Sequence, residues 1–489
     1  MKKIKSLFVL FLMILSLSVV DKNILNAFCL DDATWDSRNY GWVTDVKKQE
    51  DGICWAYSMC SAAETDVLAQ GLETDIDFSE GYMFAVHNLS TQDKNSETAT
   101  SDSPDLILKT GQNYNLLAYE SDYPYSAYST LTSKDIEINP CKYRIASSGR
   151  LSQGEVKDWI KKHGSVICGL YFPQSNGNEF VYTDEILETN HVVTIVGWDD
   201  NIPAYRFENQ PDNDGAWLVK NSWGEDAGDN GYFWVSYEDA SISTYFGITV
   251  EKCEPYNCIG SCGLAGFDCV TMSVKSRNND FFGICRAYKV APGDVLNGFN
   301  IIVNEKTQYV YKLYWVESVQ QSRFIDQTNL IASGIIDSKF TEYSYTTKAV
   351  DYTVQKPGYI LLVVMTPVTE ELLIGAELEE RENTNDTYYI FSKDNNLVIG
   401  ERSEYVLRAS LFKNQSAAQI KQPQATEHTK QEDTVQIQTQ TQTEQNTQAE
   451  STPTPTNSNS SLVRNIAIAI IIISAFVIQF FRKLRKPSV

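Results

Sequence analysis

Histidine is scarce: four occur in 489 residues. A site that needs an imidazole therefore has few candidates. Positive charge is scarce as well, with 41 Lys and Arg against 63 Asp and Glu and a formal net charge of −22. So acidic a surface repels phosphate backbones and excludes nucleic acid as a general partner. Paired CxxC units are missing from the densest cysteine cluster, Cys253, Cys258, Cys262 and Cys269, so zinc fits poorly and no metal or other cofactor is expected. Setting Cys54 aside leaves nine of the ten cysteines, an odd number. If the others pair, as an exported chain favours, at least one stays single, and the connectivity stays open. No LPxTG motif occurs near the C-terminus, so sortase attachment to a cell wall is not indicated.

What is present starts with an export signal. Lys2, Lys3 and Lys5 precede an apolar run at 7–20, and Leu25-Asn26-Ala27 suits signal peptidase. Residues 1–27 are read as a signal peptide, the alternative being an uncleaved N-terminal anchor. Phe28 before Cys29 argues against lipidation. At the other end, 416–461 is rich in Gln, Thr, Ser, Asn and Pro and reads as a disordered stalk. Residues 464–481 are nearly all apolar and read as one transmembrane helix. The basic tail 482–489 then lies in the cytoplasm and the rest of the chain outside the cell membrane.

Between these ends, Gly52 breaks regular structure before Cys54. Ala56, Met59, Ala63 and Val67 recur at helical spacing and Gly71 is a stop, so a helix begins at Cys54. Unpaired N–H groups and the dipole at a helix N-terminus favour a thiolate, the nucleophilic form. A lone cysteine there also reads as a buried structural residue, and the choice rests on whether a base accompanies it. His428 lies in a Gln/Thr tract. His163 follows Trp159-Ile160-Lys161-Lys162 and reads as the end of a surface helix. His87 falls in a helical stretch as a packed or half-exposed residue. His191 opens the β-branched run 192–198 and sits at the mouth of a strand. A second strand ends at Lys220-Asn221-Ser222-Trp223-Gly224. An amide at Asn221 can accept an imidazole N–H and hold its tautomer, with Trp223 covering that bond.

Taken together, these segments resemble the papain-like (C1 family) cysteine peptidases. The matching pieces are 36–58, Phe78-Ser79-Glu80, Tyr123-Pro124-Tyr125, Asn190-His191-Val192-Val193, and 220–224 with Gly231-Tyr232, in the family's order over about 34–240. The resemblance implies that Cys54 is the nucleophile, His191 the base and Asn221 the orienting residue. It further implies that Gln49 supplies an oxyanion-hole amide beside the Cys54 N–H. Gly197-Trp198-Asp199-Asp200, followed by a long insertion before the Asn strand, is similar to a bacterial surface branch. That branch includes clostridial surface-layer-processing proteases, whose peptidase domain is followed by a lectin-like β-domain. The chain departs from the family in several places. Gln49 stands one residue closer to the cysteine than usual, the half-cystine before the nucleophile is missing, and no Gly-Gly pair occurs near 101–111. The interval after Ala27 is too short for a long inhibitory pro-segment, so activity without removal of one is expected.

The fold expected is α+β. A papain-like domain at 31–250 sets a helical lobe carrying Cys54 against a β-rich lobe with strands at 166–171, 192–198, 217–220 and 231–237. The stretch 72–135 reads as mixed helix and loop, with a surface loop at 90–103. Residues 263–413 form an antiparallel β-sandwich whose position resembles the lectin-like domain. It serves either to bind surface glycan or as a spacer. The function expected is a membrane-anchored extracellular peptidase that hydrolyses protein or peptide substrates through an acyl-enzyme. A transglutaminase-like use of the triad is disfavoured by Asn221 where Asp is usual. The non-enzymatic alternative is a catalytically impaired surface adhesin on a peptidase scaffold.

Overall fold

The computed structural model describes residues 32–416, apart from 51, 92–109, 112, 138, 174–177, 261–269, 275–281, 304–307, 338–339, 341–343, 366–371, 379–385, 394–395 and 404. The signal segment, the stalk beyond 416, the apolar run 464–481, the tail and His428 lie outside the described residues, as do Cys29, Cys262, Cys269 and most of the 90–103 loop. Among the described residues no helix is long and apolar enough to cross a membrane.

The central element is helix α1 (Cys54–Ala69). Its first turn has no side-chain cap, and Ala56 and Tyr57 donate instead to Ile53 C=O. Gly71 at φ 66° follows its C-terminus. The expected apolar face is buried, but so is every residue from Cys54 to Leu68. One side of α1 meets α2 (Glu80–Thr91), and another meets strands of the next lobe. Ser79 caps α2, its Oγ accepting the Tyr82 N–H at 3.1 Å. Around α1, fully buried Trp55, Met59, Phe78, Tyr82 and Leu117 form the core of the helical lobe.

The β-lobe comprises β1 (Thr34–Asp36), β2 (Tyr143–Leu151), β3 (Val166–Leu170), β4 (Phe180–Val181) and β5 (His191–Asp199). It continues with β6 (Ala216–Lys220), β7 (Tyr232–Ser236), β8 (Thr244–Lys252) and β9 (Tyr256–Ile259). Their order is β2-β8-β3-β5-β6-β7-β4, antiparallel except at β7-β4. The four strands expected here are present; β1, β2, β4, β8 and β9 were not foreseen. Helix α3 (Val156–His163) ends at Gly164, φ 84°. His163 is not a surface residue. It is buried, with Nδ1 2.8 Å from Asp66 Oδ1 and its ring tilted against that of Trp159, centroids 4.4 Å apart. The lysines before it mark an exposed face, but His163 falls on the other side of α3, turned toward α1.

The β-rich character expected beyond 260 is observed. Its strands are β10 (Val270–Val274), β11 (Phe282–Val290), β12 (Val295–Val303), β13 (Gln308–Val316), β14 (Leu330–Asp337) and β15 (Ser344–Thr353). After them come β16 (Gly358–Met365), β17 (Leu372–Leu378), β18 (Thr387–Lys393), β19 (Asn396–Arg402), β20 (Tyr405–Leu407) and β21 (Ala409–Asn414). One sheet runs β14-β13-β16-β11-β18-β19. It shares a core with the other strands, where Phe299, Ile301 and Leu411 meet Leu313, Ile360 and Leu362. Leu361, Val363 and Met365 point the other way into a second buried cluster. Burial on both faces explains the unbroken apolar run in β16.

The other sheet does not stop at the β-lobe. β15 pairs antiparallel with β2, matching Ser344 with Gly149 and Thr346 with Ser147, so one 15-stranded sheet runs through both regions. Phe340 is fully buried in the β-lobe core, 5.3 Å from the Trp159 ring. Gly149 makes room for it, since a Cβ there would lie 2.6 Å from Phe340 Cγ. Tyr345 enters the helical-lobe core and donates to Gly111 C=O at 3.3 Å. Arg144 is buried at the same junction. It donates to Glu251 and to Asn297, and its guanidinium lies 4.5 Å over the Phe412 ring.

Among the described residues Cys54, Cys60, Cys141, Cys168, Cys253 and Cys285 are free thiols, where an exported chain favours disulfides. Cys60, Cys168 and Cys285 sit in three separate cores, where each packs as a small apolar side chain.

Candidate active site

Cys54 opens α1 and is 8% exposed. Burial pushes its thiol up from the ordinary value, against the backbone N–H groups of Val192, Trp55 and Cys54 itself. His191 begins β5, so the residue after it is the one whose N–H meets the thiol. The imidazole is buried between Phe172, with ring centroids 5.7 Å apart, and Trp223, at 4.8 Å. Burial lowers its pKa from 6.5, partly opposed by Asn221. Both shifts favour the uncharged thiol and imidazole at rest.

His191 Nε2 lies 2.8 Å from Asn221 Oδ1. The same oxygen accepts the Ser222 N–H at 2.7 Å. With Oδ1 thus fixed as an acceptor, Nε2 carries the ring proton and Nδ1 is the accepting nitrogen. Asn221 is held in turn by its own N–H, which donates to Gly231 C=O at 2.9 Å. Gly231 has φ 86°, and a Cβ there would meet Val46 at 2.5 Å, so glycine is required for this bond to form.

Gln49 sits against the same turn. Its N–H donates to Ser222 C=O at 2.8 Å, and the Ser222 hydroxyl donates to Gln49 Oε1 at 2.6 Å. The carbonyl end of the Gln49 amide is therefore engaged by Ser222. The structure thus joins His191 directly to Asn221, sets Cys54 beside β5, and ties Gln49 to the Asn221 turn through Ser222.

Other contributors were not singled out in the sequence. Asn190 clasps the backbone of Phe172, accepting its N–H at 2.7 Å and donating to its C=O at 3.2 Å. That bond pair fixes the ring that packs on His191. A seam of buried charge lies behind the Asn221 turn. Lys47 meets Glu64, Glu80 and Asp77 at 3.5, 2.7 and 2.6 Å. Thr44 donates to Glu64 at 2.6 Å and accepts from Lys220 at 3.1 Å. Burial pulls against the Lys47 charge, but Glu64 and Glu80 outweigh it and hold its pKa raised. One lysine does not neutralise two buried acids, and burial raises Glu80 to about 7. Burial lowers Lys220 to about 8. The signals were there to read. Ser58, Ser61 and Glu64 follow Cys54 at helical spacing, and Lys220 is a charge closing an apolar strand.

The comparisons with known proteins follow this geometry. Residues 32–257 match the model of the papain family of cysteine proteases. Cysteine proteinase 3 of Entamoeba histolytica is 27% identical over 201 residues, 39% of this chain and 58% of that protein. Cathepsin F of Mus musculus is 27% identical over 213 residues, 41% of each. The chain thus spans about half the length of these curated relatives. Among solved structures, the clostridial cysteine protease Cwp84 after propeptide cleavage superposes with a TM-score of 0.62 at 21% identity, covering 78% of this chain and 99% of that one. A structure of the cysteine protease and lectin-like domains of Cwp84, a surface layer associated protein of Clostridium difficile, gives 0.62 at 20% identity over 79% and 89%. At such identity the likeness is one of fold, and it extends through the β-rich region. On the family match and the fold together, residues 32–257 are a domain of the papain family of cysteine proteases.

Proposed function

We propose that this chain is a cysteine peptidase held at the cell surface, with Cys54, His191 and Asn221 as its triad. The observation that carries the reading is the 2.8 Å bond between His191 Nε2 and Asn221 Oδ1, which leaves Nδ1 as a base on the strand that borders the Cys54 thiol. His191 takes the thiol proton as the sulfur attacks the peptide carbonyl carbon. The oxyanion is held by the Cys54 N–H and Gln49 Nε2. His191 then protonates the departing amine, and a thioester links the acyl group to Cys54. Water, deprotonated by His191, hydrolyses the thioester and restores the thiol.

The segments at 1–27 and 464–481 give this peptidase an exported, single-pass location with the catalytic domain outside. The likeness to Cwp84 and its lectin-like domain supports a surface setting and a glycan-binding role for the 263–413 region. The test is labelling of the full chain by an epoxide probe for thiol peptidases. Wild type should be labelled and Cys54→Ala should not. Equal labelling of the two would overturn the assignment.

A further inference from the structure

Behind the triad, α1, β5 and the end of β6 enclose a polar cavity of about 20 Å³, room for one water molecule. Asn221, Ser61 and Lys220 are among its lining residues. Asn221 Nδ2 and Ser61 Oγ are buried and have no hydrogen-bond partner among the described residues. Lys220 Nζ carries three donors and has one acceptor there, Thr44. An amide N–H sealed from solvent without a partner keeps the full cost of its desolvation. Three groups thus converge on one space with bonding capacity left over.

The charges around the cavity fix the character of its guest. Lys47, Lys220, Glu64 and Glu80 all line it, with Lys47 paired to both glutamates and bonded at 2.6 Å to Asp77, which lies outside the lining. The cations are thus already matched by carboxylates on and beside the lining, so no unpaired positive charge calls for an anion, and the donors left over suit a neutral molecule that both accepts and donates.

We propose that this cavity is a binding site for a single water, which accepts from Asn221 Nδ2 and Lys220 Nζ and bonds to Ser61 Oγ, and that it keeps the Asn221 amide facing His191. The physical need is plain. An amide can turn over and exchange its oxygen for its nitrogen. Turned over, Asn221 would set a donor against both the Ser222 N–H and the His191 Nε2–H. Ser222 resists this from one end, and the water, by accepting from Nδ2, resists it from the other. Ser61 and Lys220 are then positioning residues that act on the imidazole through the water and Asn221. This inference rests on the triad reading above, and the test separates the two.

The full chain is first labelled with the epoxide probe, so that a failure of the triad reading shows as unlabelled wild type. Ser61→Val, which puts methyl groups where the water sits, and Ser61→Ala, which leaves the space, are then compared across pH. Ser61→Val should lose about ten- to a hundredfold in kcat with KM little changed and the acid limb displaced. The loss in Ser61→Ala should be smaller. A folded, labelled Ser61→Val with wild-type kcat and pH profile overturns the proposal. Should Ser61→Val fail to fold, a high-resolution crystal structure of the wild-type protein decides. Water within hydrogen-bond distance of Asn221 Nδ2 supports the site, and a dry cavity refutes it.

Discussion

Phe340 lies outside the family match, yet its side chain completes a peptidase core. Replacing it with alanine tests whether the two regions are one folding unit. The ring is fully buried against Trp159 and over Gly149, where no Cβ intervenes. Burial of a phenylalanine contributes about 1.5–3 kcal/mol by transfer alone, and the cavity left behind brings the expected cost of Phe340→Ala to about 3–5 kcal/mol. The assay is urea unfolding of the full chain, followed by tryptophan fluorescence and by residual peptidase activity. Trp159, 5.3 Å from the deleted ring, reports the local change. Both probes should move together, because the strand that follows Phe340 pairs directly with β2. A companion variant tightens the test. Gly149→Ala should cost about 1–3 kcal/mol by overpacking in wild type, and much less when Phe340 is already alanine, so the two are strongly coupled. The reasoning is refuted by a loss under about 1 kcal/mol, or by a β-rich region that unfolds at lower urea while activity is retained.

Other expectations follow from the site and the chain ends. Cys54→Ala and His191→Ala should each abolish peptide hydrolysis with the far-UV spectrum unchanged, since a triad stripped of one member retains only binding and oxyanion stabilisation; full activity in folded Cys54→Ala would sink the assignment. The acid limb of kcat/KM should fall below pH 6.5, because burial lowers His191 and the base stays neutral, and able to accept a proton, to lower pH than a free imidazole. A pH–rate profile with that limb above 6.5 would contradict it. Truncation before Arg464 should release the protein from membranes into the medium, and pelleting of the truncated form in high salt would place the anchor elsewhere.

Much of the site was legible because it lies at places where sequence punctuates structure. Gly52 and the apolar spacing after it located the start of α1, and a β-branched run located His191 at the head of a strand. Asn221 was legible as the residue after an apolar strand, and the likeness to known peptidases joined the three. What escaped was what depends on partners distant in sequence. Phe172 has no local mark that sends its ring onto His191; that follows from Asn190, eighteen positions away. His163 was misread because the lysines before it mark one side of α3, while its own partner, Asp66, comes from α1. The joining of two regions into one sheet was equally hidden. Gly149 in β2 looks like a weak strand position until Phe340 is seen to occupy the space above it.

The buried seam also bears on what its charges are for. Glu80 titrates at about 7 in the folded chain against 4.5 unperturbed. The stability it contributes is therefore present below pH 4.5 and lost as pH rises through 7. Lys220 runs the other way, at about 8 against 10.5; its contribution is present above 10.5 and lost as pH falls through 8. Between pH 7 and 8 both are charged, and each costs about 3 kcal/mol at 1.36 kcal/mol per pKa unit. Buried charge of this kind is a poor source of stability, and apolar replacements of similar shape are often more stable. Lys220→Met should then raise stability at pH 7.5, since Glu64 keeps Thr44, Lys47 and the Phe78 N–H as partners. The same variant should lose peptidase activity, because it strips a donor from the space behind Asn221. Denaturant unfolding and kcat at pH 7.5 check both halves. A variant both less stable and fully active would show that Lys220 holds the lobes together and has no hold on the triad. A more stable and less active one would show that the seam is retained for the position of the imidazole.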